Sequence, residues 1–145
     1  MPPTLPGMST TTTPSLDGYR ATTTQVMRYL AMAGGTLALA QFALAGFGAF
    51  NSVNGHRHGY TAHETVGTIV ELVGLLVLIA ALVARPNRRT IILAVVLFLL
   101  AGPIQPSLAE LAKNDQSWLG ALHGLVGLAI LGLFFQLSRK VTADG

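Results

Sequence analysis

Two histidines invite a chemical reading because each heads the same short pattern, His63-Glu64-Thr65-Val66-Gly67 and His123-Gly124-Leu125-Val126-Gly127. Imidazole is the commonest side-chain ligand for transition metals and a frequent axial ligand of haem iron. On a helix, a glycine four residues further on shares the histidine's face and leaves room over the turn below the ring. A flat macrocycle fits against such a space. Two opposing imidazoles share one iron when their nitrogens are about 4 Å apart, each bond being near 2 Å. His63 and His123 are therefore the expected axial ligands of a haem b, with Gly67 and Gly127 shaping its bed. Arg57 and Lys113, together with His56 or His58, are the cations expected to meet its propionates, because charged donors bond carboxylates strongly.

Other residues offer competing chemistry. His56 and His58, one residue apart in a polar stretch, could join His63 around zinc or copper, since imidazole suits both. Glu71, about two turns from His63, is an acid inside an apolar segment, and such acids mark pathways or paired sites. One role is the coupling carboxylate of a small transporter; the other is structural, a hydrogen bond to Gln41, which lies at a similar depth. Gln105, beside Pro103 and Pro106, is expected to satisfy carbonyls freed by a kink. The absence of cysteine removes disulfides, thiolate-bound zinc, iron–sulfur clusters and covalently attached haem. There is no phosphate-binding glycine loop and no nucleophile–base pair in sequence view.

The elements that must position these groups follow from composition. Of 145 residues, 51% are hydrophobic and 10% charged, far from the ~25% charge of soluble domains. The apolar residues gather into blocks of about the 20 residues needed to cross a bilayer. We expect an all-α, four-transmembrane-helix antiparallel bundle over residues 27–140, with spans at about 28–50, 62–84, 90–111 and 118–137. Residues 1–26, rich in Thr and Pro, read as a disordered tail, and 141–145 as a short C-terminal tail; Met27, directly ahead of the first apolar block, is an alternative start. The third span stays apolar only to about Gly102, so reaching the far surface requires passing Pro103 and Pro106, where a kink is expected.

Charge sets the expected orientation. Arg20, Arg28, Arg85, Arg88, Arg89, Arg139 and Lys140 fall on one side of the bundle, and Arg57 and Lys113 on the other. The positive-inside rule then makes both termini cytoplasmic and puts both histidine segments near the outer face of the cell membrane. The net charge of +3 belongs to these flanks rather than to a basic surface with interleaved aromatics, so no nucleic-acid partner is expected.

From about Arg28 to Lys140 the chain resembles an uncharacterised family of small four-helix actinobacterial membrane proteins, most clearly in Gln41-Phe42-Ala43-Leu44-Ala45-Gly46 and the two histidine segments. That family implies topology and no activity. The paired His-x-x-x-Gly pattern is also similar to one half of haem A synthase, whose halves carry haem ligands on their second and fourth helices; the resemblance implies that His63 and His123 take those roles. Two departures stand against haem oxidation by this chain alone: Tyr60 occupies the position of the substrate half's glutamate, and the outer-loop cysteines of many members are missing. What the resemblance implies is a haem held or relayed, in an electron carrier or haem-holding subunit. A cofactor-free accessory or assembly subunit, docking a membrane-protein partner or forming a homodimer through its glycine-rich faces, is the alternative; the Glu71 transporter is third. The lipid bilayer is the one partner common to all three.

Overall fold

The computed structural model describes residues 15–56, 58–114 and 116–140, and the regular structure among these is all helix. The elements are α1 (Leu16–Val53), α2 (Thr61–Ala84), α3 (Arg88–Leu99), a π-helical segment (Leu100–Ile104), α4 (Gln105–Lys113) and α5 (Trp118–Lys140). With α3, the π segment and α4 forming one continuous rod, the molecule has four helices long and apolar enough to cross a membrane. It is a multi-pass membrane protein by that measure. Large apolar side chains such as Leu72, Ile79, Leu82, Leu128 and Phe135 face outward, as expected where the solvent is lipid.

The first helix begins earlier than composition suggests. Rather than a tail to residue 26, the chain is helical from Leu16, where the Ser15 hydroxyl accepts a hydrogen bond from Gly18 N at 3.2 Å and Asp17 sits in the positive first turn. Thr22 and Thr23 return their hydroxyls to backbone carbonyls one turn back, so their polarity is absorbed within the helix. At about 1.5 Å per residue, the 38 residues of α1 span about 57 Å, well beyond a hydrocarbon core of about 30 Å. The surplus lies at the Leu16 end, where none of the described residues before Met27 is buried. The rest of the Thr/Pro-rich tail, Arg57 and residues 141–145 lie outside the described residues.

The helices form a ring in which α1 packs on α2 and α5, α2 on α3, and α3 and α4 on α5. Thus α2 and α5, which carry the two histidines, stand on a diagonal. The two ends of the ring are filled differently. Toward the Arg85–Asn87 connection the core is dense, with Met27, Ala31, Val77, Ala81, Leu97, Phe134 and Leu137 fully buried. Gly34 belongs to this end, and a Cβ there would collide with the Phe134 ring, so the glycine is what lets α5 lie against α1. Arg85 closes α2 in the left-handed conformation (φ 48°), and Asn87 opens α3 by accepting from Thr90 N at 2.9 Å and from Thr90 Oγ1 at 3.0 Å. Toward the other end the ring is hollow.

Pro103 and Pro106 interrupt the third span without ending it. A proline cannot donate to the carbonyl four residues back, and the chain answers with a π turn in which Gln105 N bonds Leu100 O. Ser107 Oγ donates to Pro103 O at 2.6 Å, while the Gln105 amide, expected to satisfy a freed carbonyl of its own span, donates to His123 O at 3.1 Å instead. The π turn inserts one residue into the helical register, and that insertion determines which face Gln105 presents to α5.

Candidate functional site

His63 lies in the first turn of α2 and His123 in the second turn of α5, both at the hollow end of the ring. Their ring centres are 6.1 Å apart and their planes are inclined by 59°. Each ring is held by a backbone carbonyl of the partner helix in its own hairpin: His63 Nδ1 by Gln41 O at 3.2 Å, and His123 Nδ1 by Gln105 O at 3.1 Å. A carbonyl oxygen only accepts, so Nδ1 is the donor in both, and a neutral ring then keeps the Nε2 lone pair free. Tyr60 stands edge-on to His63 with ring centres 6.2 Å apart.

The glycines complete a repeat longer than His-x-x-x-Gly. A Cβ on Gly67 would come within 2.9 Å of Gln41 Nε2, and one on Gly127 within 3.4 Å of Gln105 Nε2. Each hairpin therefore contributes the same three parts: a glutamine whose carbonyl orients the histidine, the histidine itself, and a glycine that makes room for the glutamine's amide. The slots read in sequence as beds for a macrocycle are in the first place slots for these amides. The anchors themselves are invisible to a side-chain reading, because they are main-chain oxygens. A signal was nonetheless present, in that Gln41 and Gln105 are polar residues in apolar surroundings, 22 and 18 residues ahead of their histidines.

The expected Gln41–Glu71 hydrogen bond is not formed. Gln41 is drawn one turn closer to His63 by the space over Gly67, and its Oε1 is buried with no partner. Glu71 instead lies beside Gly102 of the π segment, whose Cβ would be 3.6 Å from Glu71 Oε1. The matching Gln105 behaves differently: its Nε2 donates to His123 O at 3.1 Å, closing a two-bond ring with the histidine, while its Oε1 is also buried and unpaired.

Between the diagonal helices lies a cavity of about 780 Å³ lined by residues of α1, α2, the π segment, α4 and α5, including both histidines, both glutamines, Gly67, Gly127 and Glu71. A volume of this size is in the range of small-molecule and cofactor sites, which run to about 1,000 Å³.

Comparison with known proteins bears on part of this arrangement. Residues 41–110 match a family of unknown function (DUF6220). The match covers just under half of the chain, taking in Gln41, His63, Gly67, Glu71 and Gln105 and stopping short of His123. No curated protein and no solved structure matches the chain.

Within the matched residues, the mouth of the cavity carries Tyr60, Glu64 and Glu110, with Lys113 just beyond them. Lys113 Nζ lies 3.6 Å from both Glu64 Oε1 and Glu110 Oε2, with all three side chains largely exposed. The cation expected to meet propionates is thus bracketed by carboxylates. His56 and His58 line a separate pocket of about 300 Å³ with Asn51 and Gly59. Among the described residues no group of three His, Cys, Asp or Glu side chains is placed to hold an ion, so the expected His56–His58–His63 zinc or copper site is not assembled. His56 and His58 thus belong to the loop pocket, apart from the diagonal.

Proposed function

We propose that this chain is a small b-type haem protein of the cell membrane, holding the haem between His63 and His123 near the outer face and serving as an electron carrier or haem-holding subunit. One observation carries the reading. Two metal–nitrogen bonds of about 2 Å, plus roughly one ångström from each nitrogen to its ring centre, put the centres of two imidazoles sharing an iron about 6 Å apart. The observed separation is 6.1 Å, across a cavity, with both Nδ1 atoms turned to backbone carbonyls. A hydrogen bond from the non-ligating nitrogen is the usual device for fixing the orientation and tautomer of a metal-binding histidine.

The residues present fit the group in three further ways. Gly124 has open space where its side chain would be, and Gly67 and Gly127 keep the walls thin beside each ring. Ala38, Ala45, Ala101, Ala109 and Ala112 supply small apolar lining. Lys113 can exchange its exposed carboxylate contacts for a propionate at little cost, since exposed ion pairs are worth only ~0–1 kcal/mol. When bound, the haem supplies one-electron redox chemistry; the protein's part is to hold two neutral imidazoles at fixed spacing and to keep one edge of the group near the membrane surface. Both termini are cytoplasmic in this reading, supported by seven basic residues on their side against two on the other.

An absorption spectrum of detergent-purified protein expressed with ample haem tests the proposal. A Soret band with sharpened reduced bands is expected, and His63→Ala and His123→Ala should each lose the low-spin signature while His56 and His58 variants keep it. Haem-free wild type would leave the cofactor-free accessory subunit as the better account. A tag after Gly145 and one in the 86–88 connection should report cytoplasm, and one near Asn54 the outside.

A further inference from the structure

Below the histidines the cavity holds polar groups with no protein partner. Gln41 Oε1 and Gln105 Oε1 are both buried and unpaired. Deeper still is Glu71, half-buried, at eight residues or about 12 Å along α2 from His63, and it makes no hydrogen bond or ion pair with the described residues. A buried acceptor left without a donor costs about 1–3 kcal/mol, and all three groups line the same 780 Å³ space. Polar, roomy cavities with several unpaired acceptors hold water, which supplies the missing donors.

The cavity is also one-sided. Its floor is Ala38, Val70, Ala101 and Ile130. Beneath that floor Val77, Ala81, Leu97 and Phe134 are fully buried and closely packed. Water entering past Glu64, Glu110 and Lys113 can therefore descend to Glu71 and no further. Gly102, in the π segment at Pro103, stands beside the Glu71 carboxyl at the bottom.

We propose that Glu71 is a proton-binding site reached through water from the histidine face of the membrane alone, with the Gln41 and Gln105 amide oxygens as the relay's fixed acceptors. The step is a simple exchange: hydronium delivered down the cavity gives its proton to the Glu71 carboxylate, leaving water. The charged and titratable groups facing the path are His63, Glu64 and Tyr60 from α2 and the turn before it, Glu110 and Lys113 from α4, and His123 from α5. The α1 and π-segment linings, Ala38, Gln41, Phe42, Ala45 and Ala101, contribute none. The site stands on the cavity's own polar groups and does not require the iron.

The chain has no cysteine, so single thiols can be placed on a silent background. Glu71→Cys in sealed vesicles of uniform orientation should react with a small, charged, membrane-impermeant methanethiosulfonate added on the histidine face, and not when the reagent is added on the other. Val77→Cys should be unreactive from both. If Glu71→Cys fails to elute as a single species, Thr68→Cys and Ala101→Cys line the same cavity and carry the same expectation. In parallel, infrared difference spectra between wild type and Glu71→Gln should reveal one carboxylic-acid band that appears on acidifying the histidine face. Cavity thiols closed from that face, thiols open from the opposite face, or a band that ignores pH would each overturn the proposal. The absorption spectrum of the same samples reports haem separately, so failure here is distinguishable from failure of the haem reading.

Discussion

The two hairpins of the bundle are built from the same three parts and finish them differently. In α1–α2 the glutamine lends its carbonyl to His63 and leaves its amide over Gly67 without a partner. In the second hairpin Gln105 lends its carbonyl to His123 and also donates its amide to His123 O, latching the two helices together. The cause is the backbone around Pro103. A π turn aims Gln105 squarely at the histidine's turn, whereas α1 runs unbroken through Gln41. One half of the site is thus locked by side chain and main chain together, and the other by main chain alone. The first half is where a bound group has freedom to gather a new hydrogen bond.

The largest change should come from erasing the register that distinguishes the second hairpin. Pro103→Ala removes the proline that imposes the π turn, and relaxation to ordinary helix with the residue count unchanged rotates one side of it relative to the other by about 100°. We expect loss of bound haem comparable to His123→Ala, with the protein still inserted and monodisperse. Retention of the low-spin spectrum in Pro103→Ala would show that the π turn does not aim Gln105.

Next come the glycines. Gly67→Leu and Gly127→Leu should each expel the facing amide and lower haem per folded protein, with Gly67→Leu the more severe because its contact with Gln41 is the closer. Equal loss of fold with and without haem would instead assign both glycines to general helix packing. The smallest expected effect separates the glutamines. Gln105→Leu removes a made hydrogen bond and should lower unfolding stability in detergent by about 1 kcal/mol, the size of such contacts between membrane helices. Gln41→Leu removes an amide that bonds nothing in the protein and should stay within a few tenths of a kcal/mol of wild type. Equal costs would contradict the asymmetry.

Much of the fold was legible in the sequence because lipid imposes a coarse code. Blocks of about 20 apolar residues, basic flanks and the Arg85-Pro86-Asn87 stop mark four helices. The start of α1 was not legible, since Thr22, Thr23 and Gln25 lower hydropathy without forbidding a helix that Ser15 caps. The histidine pair was visible as a repeated pattern, and its position on diagonal helices follows from antiparallel succession around a ring. The anchors were not visible, because the oxygens that hold His63 and His123 are main-chain atoms. The partner chosen for Gln41 failed for a related reason. Depth along a helix can be counted from sequence, but the slot over Gly67 that captures the amide depends on how α1 and α2 are rotated about their axes.

The proposed haem site rests on the imidazoles of His63 and His123, whose centres lie 6.1 Å apart, the spacing of two rings that share one iron. Low-temperature electron paramagnetic resonance of the oxidised, purified protein tests it most directly. A low-spin ferric signal of bis-histidine type, converted to high spin or lost in both His63→Ala and His123→Ala, is the predicted result. A haem-free wild type, or a low-spin signal that survives either substitution, would contradict it.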